Sequence, residues 1–137
     1  MSNIDWEPLI KAALKVRKKA YAPYSKYRVG AALRADRGRI FAACNVENAS
    51  YPVCICAEQV AIGAAVSAGC RQFQALVVAT PGPRPAPPCG MCRQALSEFG
   101  PTMPVLLVTP EGVQEEWTLA DLLPGAFQAD TLKAGRD

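Results

Sequence analysis

Helix-spaced and strand-like segments alternate along this 137-residue chain, which places it in the α/β class. Two continuous apolar runs, residues 75–79 and 105–109, are bounded by Pro or Gly and read as strands covered on both faces. Around them lie three stretches with apolar residues at helical spacing. Half of the residues are apolar, enough for one compact domain over residues 1–137 with a real core.

Over residues 5–21, Leu9, Ile10, Ala13, Leu14 and Arg17 fall on one side of a predicted helix. Pro8 lies in its first turn, where a missing N–H costs little. Residues 28–35 and 39–44 are short apolar runs separated by Asp36-Arg37-Gly38, a turn signal, and they predict a hairpin. Val60, Ala61, Ala64, Ala65 and Ala68 predict a helix over about residues 56–68, ended by Gly69. Its small side chains permit close approach to a sheet or a second subunit. After the strand at 75–79, residues 80–88 carry five prolines and read as a stiff loop, a connector without chemistry in the favoured reading and a functional lid in the alternative. A further helix is expected from Cys89 through Leu96 to Phe99, then the strand at 105–109, then a C-terminal tail.

The formal charge of +3 is spread over residues 11–19, 28–39 and the C-terminus. It forms no basic stripe, so neither a nucleic-acid nor a membrane partner is expected. The first residues lack the basic and then apolar pattern of a signal peptide, and no apolar run reaches about 18 residues. The chain therefore reads as cytoplasmic. In a reducing compartment its six cysteines should be thiols or metal ligands. Cys44, Cys54 and Cys70 read as small buried residues.

The other three are grouped: Cys56-Ala57-Glu58, then Pro88-Cys89-Gly90-Met91-Cys92, in a chain without histidine. Three thiolates can hold one zinc ion and leave its fourth position free for water, and Glu58 stands where it can move that water's proton. Both cysteine groups are expected at helix starts, where unpaired N–H groups and the helix dipoles stabilise thiolates. Two other readings stay open here. Cys-x-x-Cys at a helix start also suits a thiol redox site, which leaves Cys56 and Glu58 unexplained. Cys54 as a fourth thiolate would close the site into a structural zinc knot, which has no use for Glu58.

Further stretches carry a resemblance. Ala22-Pro23-Tyr24-Ser25, Val29-Gly30-Ala31-Ala32-Leu33, Asn45-Val46-Glu47-Asn48-Ala49, Ile55-Cys56-Ala57-Glu58, Pro88-Cys89-Gly90 with Cys92-Arg93-Gln94, and Leu122-Leu123-Pro124-Gly125-Ala126-Phe127 resemble the small homotetrameric cytidine deaminases. The zinc deaminases share a Cys-or-His-x-Glu followed by Pro-Cys-x-x-Cys. The resemblance implies a three-layer α/β/α sandwich with a central five-stranded mixed sheet. It also implies one zinc per subunit, a homotetramer, a role in pyrimidine salvage, and hydrolysis of cytidine or deoxycytidine to the uridine product and ammonia. Cys56, Cys89 and Cys92 become the zinc ligands and Glu58 the proton carrier. Asn45 and Glu47 would bind the ribose 3′ hydroxyl, as an amide and a carboxylate together can. The Ala57 N–H and the Pro88 carbonyl would hold the base edge, Tyr27 would stack near it, and Phe127 would reach into a neighbouring subunit's pocket.

Two positions depart from the family pattern. Gln59 stands where most relatives carry Arg, whose charged hydrogen bonds offset a Zn(Cys)₃ centre with a formal charge near −1. Gln59 can still donate through its amide, leaving helix dipoles and Arg93 to supply more of the compensation. Tyr27 replaces the usual Phe. A deaminase of blasticidin S or an N4-substituted cytidine is the alternative within the enzyme class. A catalytically silent zinc-binding nucleoside sensor is the alternative outside it, and the intact Glu58 argues against silence.

Overall fold

In the computed structural model, which describes residues 3–136, residue alternation within the strands sets the layering. The strands are β1 (Gly30–Ala35), β2 (Ile40–Cys44), β3 (Phe73–Ala79), β4 (Pro104–Val108) and β5 (Gln114–Thr118). They form one sheet in the order β2-β1-β3-β4-β5. The β3–β4 pair is parallel and the others are antiparallel, so the sheet is mixed.

On one face Ala32, Ala75, Val77, Leu106 and Val108 pack against Leu9 and Ala13 of helix α1 (Glu7–Arg17). On the other, Leu33, Leu76, Val78, Val105 and Leu107 meet α2 (Ala57–Ser67) and α3 (Gly90–Ser97). Side chains alternate across a strand, so both faces of β3 and β4 are apolar and the runs are continuous. The three layers and five mixed strands expected from the resemblance are present.

Several elements differ from the sequence expectations. Helix α1 stops at Arg17 rather than continuing to residue 21, because backbone bonds from Tyr21 N to Asn45 O and from Glu47 N to Tyr21 O draw the chain into a bridge. The C-terminal stretch is no mere tail. It holds β5, α4 (Leu119–Leu122) and α5 (Ala129–Ala134). The hairpin turn and the ends of α2 fall where expected, with Gly69 at a left-handed φ of 94° after the helix. Gly30 serves close approach: a Cβ there would run into the Ala13 carbonyl and the Arg17 backbone of α1.

Candidate metal centre and active site

Cys56 and Cys89 are the N-cap residues of α2 and α3, both in extended conformation, so each thiol sits beside the unpaired N–H groups of a helix start. Cys92, one turn into α3, completes the group. The three sulfurs lie within 4.8 Å of one another. Held this close, the three thiols do not ionise independently. Hydrogen bonding from Cys92, with a smaller share from Cys89, draws the Cys56 thiol down to about 6 against the cost of burial. The same bond, together with burial and the neighbouring Glu58 and Cys56 charges, pushes Cys92 well above the ordinary thiol range. Three soft, closely spaced thiols that resist joint ionisation call for a divalent cation, and the set fits tetrahedral zinc with one position left open.

Glu58 follows on the first turn of α2 and is 5% exposed. Burial pushes its carboxyl up to about 7, and the Cys56 charge adds to the rise. Gln59 donates from Nε2 to the Cys92 sulfur at 3.8 Å, the side-chain hydrogen bond expected of it. Arg93 follows Cys92 and directs its donors to carbonyls. Its Nε donates to the Pro88 carbonyl at 2.8 Å and its Nη1 to the Leu122 carbonyl at 2.7 Å. Cys54 lies outside the sulfur group and donates to the Asn48 carbonyl instead. Of the three cysteines read as buried, Cys70 is buried, whereas Cys44 and Cys54 are half-buried.

A cavity of about 500 Å³ opens over the sulfurs, within the range of small-molecule sites. Tyr27, Asn45, Glu47, Ala57 and Glu58 reach its wall. The polar ends of Asn45 and Glu47 also hold the preceding loop. Asn45 accepts from Val29 N at 3.0 Å and donates to the Tyr27 carbonyl at 2.9 Å. Glu47 accepts from the backbone N–H groups of Tyr24 and Ser25 and from the Ser25 hydroxyl. These donors hold its carboxyl below the usual range, the Ser25 hydroxyl foremost.

Two sequence-selected residues are not on that wall. Pro88 is buried, flanked in sequence by the wall residues Pro87 and Cys89. Phe127 is 57% exposed in a separate depression beside Ser97 and Pro101. Sequence reasoning missed Ser25, Thr80, Ala86 and Pro87, all of which line the cavity. Residues 80–88 are therefore more than a connector, since Ala86 N–H bonded to the Thr80 hydroxyl at 2.9 Å folds the proline loop against the site. Only the Tyr24-Ser25 motif pointed that way, for Ser25.

The sequence pattern of the cytidine and deoxycytidylate deaminase zinc-binding region matches residues 4–108. A cytidine deaminase of Sporosarcina psychrophila is 48% identical over 130 residues, covering 94% of this chain and 96% of that protein. A blasticidin-S deaminase of Bacillus cereus is 37% identical over 109 residues, covering 73% and 76%. The crystal structure of cytidine deaminase from Burkholderia pseudomallei superposes with a TM-score of 0.85 at 46% identity, covering 93% of this chain and all of that one.

Proposed function

Because the chain belongs to the cytidine and deoxycytidylate deaminase zinc-binding family, we propose that it hydrolyses cytidine and deoxycytidine to uridine and deoxyuridine with release of ammonia. The observation that carries this reading is the joining of a three-thiol zinc site to one buried carboxylate at the floor of a nucleoside-sized cavity. Zinc held by Cys56, Cys89 and Cys92 supplies Lewis-acid activation of water at neutral pH. Glu58 takes a proton from the attacking water and delivers it to N3 as the C4–O bond forms. It then carries the second proton to the exocyclic nitrogen, and the C4–N bond breaks to release ammonia. Burial of Glu58 suits both halves of this work, since a carboxyl with raised proton affinity is a better base and can still give the proton up.

In the same reading the Ala57 N–H and the Pro88 carbonyl hold the base edge, Tyr27 stacks beside it, and Asn45 and Glu47 bind the sugar hydroxyl. The loop bonds of Asn45 and Glu47 leave each with acceptor capacity, because a carboxylate or amide oxygen carries two lone pairs. Association as a homotetramer is part of the proposal. It is supported by exposed Tyr21, Tyr51, Val53 and Ile55 and by Phe127, which lies outside its own chain's cavity. We assign residues 1–137 to one catalytic domain acting in pyrimidine salvage. No described helix is long and apolar enough to cross a membrane, and a reducing cytoplasm would keep the ligand cysteines as thiols.

Ammonia release measured over cytidine, deoxycytidine, cytosine and blasticidin S tests the assignment. The two nucleosides should turn over fastest. Preference for blasticidin S would transfer the assignment to the activity named for the Bacillus cereus relative, and no turnover with any of the four would overturn it.

A further inference from the structure

The prolines of residues 80–88 remove backbone donors from the loop that leads into Cys89. Pro85, Pro87 and Pro88 have no N–H, and the Ala86 N–H is already committed to the Thr80 hydroxyl. Residues 85–88 therefore offer no spare N–H to orient the last carbonyl of the loop. Arg93 supplies one. Its Nε donates to the Pro88 carbonyl at 2.8 Å, beside the ordinary helical bond that its backbone N–H makes to the Cys89 carbonyl at the start of α3. The other arm of the fork, Nη1, is tied at 2.7 Å to the carbonyl of buried Leu122 at the end of α4, which stops the guanidinium from swinging.

We propose that Arg93 is a positioning residue for recognition of the substrate's 4-amino group, acting through the Pro88 carbonyl. The proposal rests on the deaminase reading above, in which that carbonyl accepts from the amino N–H. A carbonyl offers two lone pairs, and the guanidinium occupies one of them. A hydrogen bond weakens steeply as its donor angle closes, so fixing the peptide plane from one side sets how well the other lone pair meets the amino group. Arg93 itself does not line the cavity.

The test compares two ligands of the zinc-loaded enzyme: cytidine, and the pyrimidin-2-one ribonucleoside that lacks the amino group. Wild-type enzyme is assayed first, and failure to deaminate cytidine would sink the deaminase reading rather than the role of Arg93. In Arg93→Ala, kcat/KM for cytidine should fall about 3- to 10-fold, the effect of a misaligned neutral hydrogen bond to the amino group, while the inhibition constant of the amino-free ligand changes less than about 2-fold. Arg93→Lys keeps the cation but cannot hold two carbonyls in one plane, so it should shift selectivity the same way by a smaller factor. The lysine variant decides the matter if the alanine variant does not fold or bind zinc. Equal weakening of both ligands would mean a merely structural role, and unchanged cytidine kinetics would mean none; either overturns the proposal.

Discussion

Glu58 and Gln59 are neighbours on the first turn of α2, yet they meet the sulfur centre differently. Glu58 is buried beside it as a titratable group, and Gln59 donates to the Cys92 sulfur. Glu58→Gln removes the proton carrier and preserves shape, so kcat should fall by at least about 10²–10⁴-fold while zinc content by metal analysis stays at the wild-type level. Near-normal turnover would remove Glu58 from the mechanism. Gln59→Leu deletes the donor and leaves the helix intact; outer partners of metal ligands are typically worth about 10–100-fold in affinity, so zinc should be lost at correspondingly lower chelator concentration. Unchanged chelator competition would assign the charge compensation to the helix starts and Arg93. These residues were legible because their chemistry needs rare side chains at fixed spacing: three cysteines and one carboxylate in a chain without histidine. Thr80, Ala86 and Pro87 were not, since their cavity roles come from how a loop folds rather than from what their side chains can do. The carbonyl partners of Arg93 were not legible either, because they depend on how the proline loop and α4 fold against α3.

Among the elements, the β1–β2 turn is tied to the start of β3 through one carboxylate. Asp36 accepts from the backbone N–H of Gln72 at 2.7 Å and from that of Arg71 at 3.3 Å. The Gln72 bond is the main cause that lowers its pKa from 3.8. A depressed folded-state pKa gives stability that is present above the unfolded value and lost as pH falls through the folded one. Asp36→Asn should therefore melt below the wild type at pH 7, with the gap closing as pH drops below 3.8; a gap independent of pH would contradict this. Gly30→Ala should destabilise by about 1–3 kcal/mol in a denaturant titration, because its Cβ must displace the backbone of α1. The inner strands β3 and β4 were readable because burial on both faces writes an unbroken apolar run. The edge strand β5, Gln114–Thr118, carries two glutamates and is exposed at four of its five positions, so its sequence looks like tail. Helix α4 spans four residues, too short for periodicity to register; its Thr118 N-cap, which accepts from Asp121 N, is the one local signal.

In the whole molecule, helix α3 links the metal centre to the C-terminal segment. Cys92 is a sulfur of the site, Arg93 reaches Leu122, and Gln94 donates to the Phe127 carbonyl at 2.8 Å. If Phe127 completes a neighbour's cavity, Phe127→Ala should raise the KM for cytidine with zinc content unchanged, as base stacking is worth about 1–3 kcal/mol. A fully active monomer in sedimentation would contradict the shared site. One zinc, held by three thiolates of the chain, should together with Glu58 suffice for hydrolytic deamination. Stepwise return of zinc to chelator-stripped protein, with ammonia release from cytidine measured at each step, tests it most directly. Activity should rise in proportion to bound zinc and level off at one equivalent per chain. Full activity in the stripped protein, or zinc saturation without ammonia release, would contradict it.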